Sequence, residues 1–191
     1  MPYPAKTSQG AILDAARELL EREGMEGLSM RLLADKLGLR ASSLYRHYSD
    51  RAALEAALGD DTARQLEAAM REASAGHEGE DAVKRAAQAY LNFAREHPEL
   101  YALIHAPQPP GVAGPGAGKD LWNFVLSLVA GVTGHPDDTA GAVTLWAFLH
   151  GFAGLERSGL FGLSGPRGGF ERGLEALLAG LKLKRGGNAA T

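Results

Sequence analysis

The stretch 31-RLLADKLGLRASSLYRHYSDRAAL-54 decides how this chain is read. It holds one glycine, Gly38, between two short helical patterns. The second pattern carries Ser42, Ser43, Tyr45, Arg46 and His47, side chains that a domain core does not need. Leu33, Ala34 and Leu37 share one helical face, and a residue without Cβ at position 38 takes a left-handed conformation cheaply. The stretch therefore predicts a helix, a tight turn and a second helix, with Leu33, Leu37, Leu39 and Leu44 setting the crossing angle and Tyr48 turned inward.

Upstream, Ile12, Leu13, Ala16, Leu19 and Leu20 recur at one-face helical spacing between Thr7 and Glu23, with Gly24 as the stop. Ser29 is placed to cap the second helix and Asp50 to cap a long fourth one running to about Ala73. Three short helices with a polar outer face on the third form the arrangement in which one helix crosses the DNA backbone and the next enters the major groove. The charge is local. Between Ser29 and Arg51 there are five basic residues, Arg31, Lys36, Arg40, Arg46 and Arg51, against Asp35 and Asp50, in a chain of net charge −3.

These residues resemble the TetR/AcrR family of bacterial transcriptional regulators. The resemblance is carried by Gly24, Leu28-Ser29-Met30-Arg31, the LADKLGL around Gly38, and above all SSLYRHYSDRAAL, over roughly residues 9 to 58. It implies that Arg31, Ser42, Ser43 and Tyr45 read bases or backbone and that His47 and Arg51 anchor phosphates; Arg40, Ala41 and Arg46, from the same stretch, complete the candidate DNA-binding set. Such a division is physically sensible, because phosphate contacts set register and groove contacts set sequence choice. Arg40 stands where the family often has a capping Ser, and Ala52-Ala53 replace its usual polar pair.

Beyond the polar loop at 74–81 a second lobe is expected. Residues 121–133 and 139–155 contain no Asp, Glu, Lys or Arg. A helix without a polar face must be covered on more than one side, so a second subunit is expected to bury part of this surface. Gly151 and Gly154, with Phe170, Leu174, Leu177, Leu178 and Leu181 of the last helix, are the candidate dimer contacts. Two helices from each chain would form a four-helix interface, as the resemblance also implies. Tyr90, Phe93, Tyr101, Ile104, His105, Trp122, Leu126, Trp146, Leu149 and His150 have the aromatic and apolar composition, with a few polar tips, of a small-molecule site. The segment 146-WAFLHGFAGL-155 resembles the Trp-His-Gly pattern of one TetR-type C-terminal subgroup.

The expected architecture is all-α, with about nine helices. Residues 1–58 form the helix-turn-helix domain, 59–185 the ligand-binding and dimerisation lobe, and 186–191 a flexible tail; the Pro/Gly-rich run at 107–118 is a loop. The function expected is a homodimeric repressor, released from a palindromic operator on double-stranded DNA by a small, largely apolar effector. Two alternatives are an architectural DNA binder without an effector and a helical enzyme with a DNA-binding appendage. The second lobe offers no nucleophile–base pair, paired carboxylates or phosphate-binding glycine loop, so no enzyme and no cofactor are expected. With no Cys and no His at ligand spacing, no metal is expected either. The N-terminus lacks a secretory pattern and no apolar run reaches the roughly 20 residues of a membrane span, so a cytoplasmic location without membrane contact is anticipated.

Overall fold

The computed structural model describes residues 8–106 and 116–186, with 183–186 as backbone only; most of the 107–118 run and nearly all of the 186–191 tail lie outside the described residues. Among the described residues there are nine helices and no strand. They form two compact units, Met1–Arg64 with His97–Gly118 and Gln65–Glu96 with Lys119–Thr191.

The first unit is built on α1 (Gln9–Gly27), α2 (Met30–Lys36), α3 (Ala41–Leu44), the first half of α4 (Arg51–Ser74) and α6 (Pro98–His105). Ser8 Oγ accepts from Ala11 N and starts α1. The stop expected at Gly24 is a break rather than an end: at φ +69° it leaves the helical region, and helical turns resume as far as Gly27. Ile12, Ala16, Leu19, Leu20, Leu28, Leu33, Leu44, Leu54 and Leu58 bury one continuous core. Each such Leu contributes about 1.5 to 3 kcal/mol relative to an exposed one. The chain order puts α6 with the second lobe, but its Leu100 and Leu103 join this core, and Leu100 N donates to Glu21 Oε1 of α1 at 3.4 Å.

Ionic contacts tie α4 to α1 within this unit. Arg17 donates to Asp61 at 2.5 Å and to Asp14 at 3.0 Å. Burial works to lower the Arg17 guanidinium, but the Asp61 and Asp14 hydrogen bonds outweigh it and hold the group above its ordinary value. In the middle of α4, Gly59 has open space where a Cβ would stand, and Thr62 bonds back to the Leu58 carbonyl at 2.7 Å. Leu44, wholly buried at the centre of the core, is the residue through which α3 is held. Leu44→Ala is expected to destabilise the first unit by about 2 to 5 kcal/mol, from lost transfer energy plus a cavity. Chemical denaturation followed by circular dichroism measures it, and a loss below ~1 kcal/mol would mean that α3 is held otherwise.

The second unit contains the rest of α4, α5 (Gly79–Glu96), α7 (Ala117–Thr133) apart from its first two residues, α8 (Thr139–Arg157) and α9 (Gly169–Gly186). Ala86, Ala87, Tyr90, Leu91 and Ala94 form the buried face of α5, which packs on α8, and α8 packs on α9. Asp138 caps α8 by accepting from Gly141 N at 2.9 Å. Arg95 of α5 makes a two-pronged bond to Glu156 of α8, both arms at 2.8 Å.

Candidate functional site

The turn between α2 and α3 is a Schellman motif. Ser29 Oγ accepts from Leu32 N at 3.2 Å to open α2. At the other end Gly38 N donates to Asp35 O at 3.1 Å and Leu39 N to Ala34 O at 2.9 Å, while Gly38 sits at φ +65°. Only a residue without Cβ takes that conformation at little cost. Arg40 then stands at the N-cap of α3 without a side-chain capping bond. The helix proper is four residues long, but Tyr48 N donates to Leu44 O at 3.0 Å, so the coil continues one turn further.

That coil divides its residues cleanly. Leu44 and Tyr48 face the core, and burial followed by the Asp61 charge pushes the Tyr48 phenol up, so it stays neutral. Arg40, Ser42, Tyr45, Arg46 and His47 are exposed, Ala41 and Ser43 half-buried. Arg31 is exposed at the start of α2. Tyr45 is 51% exposed, a large ring held in solvent by a helix whose other side is fully committed to the core.

Not all the basic residues of this region are available. Lys36 pairs with Glu18 of α1 at 2.8 Å and holds that carboxyl below its ordinary value, first by its hydrogen bond and then by its charge. This brace is therefore complete above the ordinary Glu range and is lost as pH falls through the depressed value. Arg51, expected as a phosphate anchor, donates to the Met25 carbonyl at 2.6 Å and to Glu55 at 2.5 Å. It fastens the chain just after the Gly24 break to the first turn of α4. Arg31, Arg40 and Arg46 form no ion pair with any described residue. Leu32, 47% exposed beside Arg31, is a further candidate that the sequence reading passed over. Its signal was present: it lies off the Leu33, Ala34 and Leu37 stripe.

The candidate ligand residues are divided between the units. Tyr101, Ile104 and His105 belong to the first unit, where the His105 Nδ1 lies 2.8 Å from the Tyr101 carbonyl and the two rings are 4.3 Å apart. The other seven are in the second unit. Tyr90, Phe93 and Leu149 are buried, Trp122, Leu126 and Trp146 half-buried, and His150 exposed on its outer side. Tyr90 meets Trp146 edge-on at 5.6 Å. Burial, then the Arg157 charge, pushes the His150 imidazole down. A cavity of about 490 Å³ in this unit is lined instead by His77, Glu78, Gly79, Ala82, Ser127, Leu128 and Gly131.

Of the candidate dimer residues, Phe170, Leu174, Leu178 and Leu181 are covered by their own chain, with Phe170 stacked on Phe148 at 5.6 Å. Leu177 and Gly154 are half-buried and Gly151 is exposed. The outer face of α8 presents Ala140, Val143, Ala147, Gly151 and Leu155, without a charge. Among the described residues no group of His, Asp and Glu is arranged to hold a metal ion, and no helix is long and apolar enough to cross a membrane.

Residues 12–58 match the family model of bacterial regulatory proteins of the tetR family, and residues 83–179 that of the tetracyclin repressor-like C-terminal domain. An uncharacterized HTH-type transcriptional regulator of Mycobacterium tuberculosis is 28% identical over 194 residues, covering 98% of this chain and 88% of that protein. The class D tetracycline repressor of Escherichia coli is 43% identical over 54 residues, 28% of this chain and 25% of the repressor. A solved structure of a protein of unknown function from Rhodococcus sp. RHA1 superposes with a TM-score of 0.80 at 28% identity, covering 95% of this chain and 99% of that one.

Proposed function

We propose, from the premise that this chain belongs to the TetR family of bacterial transcriptional regulators, that it is a homodimeric repressor released from a palindromic operator by a small, largely apolar effector. The observation that carries the DNA-binding reading is the exposed set Arg31, Arg40, Ser42, Tyr45, Arg46 and His47, held on one glycine turn by a fully packed inner face. Tyr45, Ser42 and Arg31 are assigned to the groove, and Arg40, Arg46 and His47 to the phosphates.

Three helical glycines support the dimer. A Cβ at Gly151, Gly154 or Gly180 would meet nothing within 4 Å. Each costs its helix about 0.8 to 1 kcal/mol relative to Ala. Nothing among the described residues needs them, whereas a neighbouring helix from a second copy approaching closely would. A dimer also places two recognition helices on one face of the duplex at a fixed spacing. The effector is assigned to the second unit around Tyr90, Trp122, Leu126 and Trp146, whose uncharged side chains favour a neutral or apolar molecule. Binding need only prefer the state that does not hold DNA; a coupling of about 1 to 3 kcal/mol changes operator affinity about 5- to 150-fold.

Selection of bound duplexes from a random pool tests this reading: an enriched palindrome, released by an apolar compound, is expected. Enrichment of single half-sites, or operator and compound binding independently, would overturn it. Salt dependence adds a quantitative check. Two arginines per chain assigned to phosphates, Arg40 and Arg46, make four per dimer, so log K is expected to fall with log salt at a slope of about −4. A slope near −7 would mean that Lys36 and Arg51 abandon Glu18 and Met25 for phosphates.

A further inference from the structure

The segment between α8 and α9 is ordered by a ladder of turns. Leu160 N donates to Leu155 O at 3.2 Å, Gly162 N to Gly159 O at 3.0 Å, Gly165 N to Gly162 O at 3.2 Å and Gly169 N to Pro166 O at 2.8 Å. Gly159, Gly162, Gly165 and Gly168 all take positive φ, and so does Arg167, at 48°, a conformation that a residue with a Cβ adopts only when its surroundings impose it. Phe161 anchors the segment, its ring 5.0 Å from Phe152, which itself lies 5.0 Å from Phe170. On the other side Leu160 is 72% exposed and Leu163 fully so. An ordered loop that turns one aromatic inward and two leucines outward forgoes burial that its own chain does not supply.

We propose that residues 158–168 form an arm that closes over a second copy of this chain, with Leu160 and Leu163 seated on the outer faces of that copy's α8 and α9. This rests on the dimer reading above and extends it. Two observations select a second copy as the occupant. The leucines continue the uncharged outer face of α8 through Leu155, which is itself 44% exposed. The arm and α9 also carry charges of both signs, which a two-fold interface can pair reciprocally. Arg157 and Arg167 on the arm side and Glu175 on α9 form no ion pair with any described residue. An arginine of one arm thus has a carboxylate to meet on the opposite copy, and the reciprocal contact forms at the same time.

The test is sedimentation of the full chain and of Leu160→Ser/Leu163→Ser, with a benzophenone side chain placed at 163 in a third preparation. Both leucines are exposed, so the variant retains its fold, which circular dichroism verifies. A dimer dissociation constant raised at least ~30-fold, with light-driven capture of a second copy from position 163, is the expected result. If the parent chain is dimeric, the double variant dimerises equally well and position 163 captures only its own chain, the arm is wrong while the dimer stands. A parent chain that stays monomeric at tens of micromolar overturns the dimer reading, and the arm with it.

Discussion

Gly151→Leu is expected to separate the dimer into single chains and to lower operator affinity by at least ~100-fold, because a single recognition helix reads only half of a palindrome. The sign of the accompanying stability change makes this prediction sharp. Position 151 is exposed and a Cβ there meets none of the described residues within 4 Å, so α8 itself gains up to ~1 kcal/mol from exchanging Gly for a better helix former. A monomer that resists denaturant better than the parent's own subunit, yet no longer retards the operator in a gel, is the expected pair of results. A variant that remains dimeric with unchanged affinity would place the interface elsewhere than on α8.

Tyr45→Ala has an expected effect of comparable size and a different signature. A lost base contact costs about 1 to 3 kcal/mol, and a dimer on a palindrome loses two, so affinity for the selected operator should drop between ~30-fold and ~10,000-fold. Affinity for unrelated DNA should hardly move, and the salt slope should stay the same, since no cation is removed. Arg46→Ala serves as the contrast: it should weaken all sequences alike and reduce the slope by about 2 for the dimer. If Tyr45→Ala weakened all sequences equally, Tyr45 would be a backbone contact and Ser42 or Arg31 the base reader.

The first unit was legible because its signals are local. Gly24 and Gly38 are the described residues before α4 that take positive φ, and the leucine spacing around them gives the buried stripe of each helix. The outer face of α3 follows by subtraction from that stripe, which is why Tyr45 and Arg46 could be named from sequence and why Leu32 should have been. The Arg51 bond to the Met25 carbonyl spans 26 residues and leaves no pattern in either neighbourhood, so a motif-based reading sees only an arginine at a phosphate position. In the second unit, periodicity shows that Phe170, Leu174, Leu178 and Leu181 are buried but not which chain buries them. The glycines carry the complementary information: Gly173 is needed because Phe148 lies 2.6 Å from where its Cβ would be, while Gly180 has open space. α6 was misassigned for a similar reason. His97-Pro98 announces a helix start, yet nothing in Leu100 or Leu103 says that their partner is α1, some 80 residues earlier.

One helix, α4, contributes its first fourteen residues to one unit and its remainder to the other. At the junction lies the turn 58–62, where Gly59 lacks a side chain and the Thr62 hydroxyl shares the Leu58 carbonyl. A rotation imposed at Gln65 has to pass Thr62 and Gly59 before it reaches Arg51.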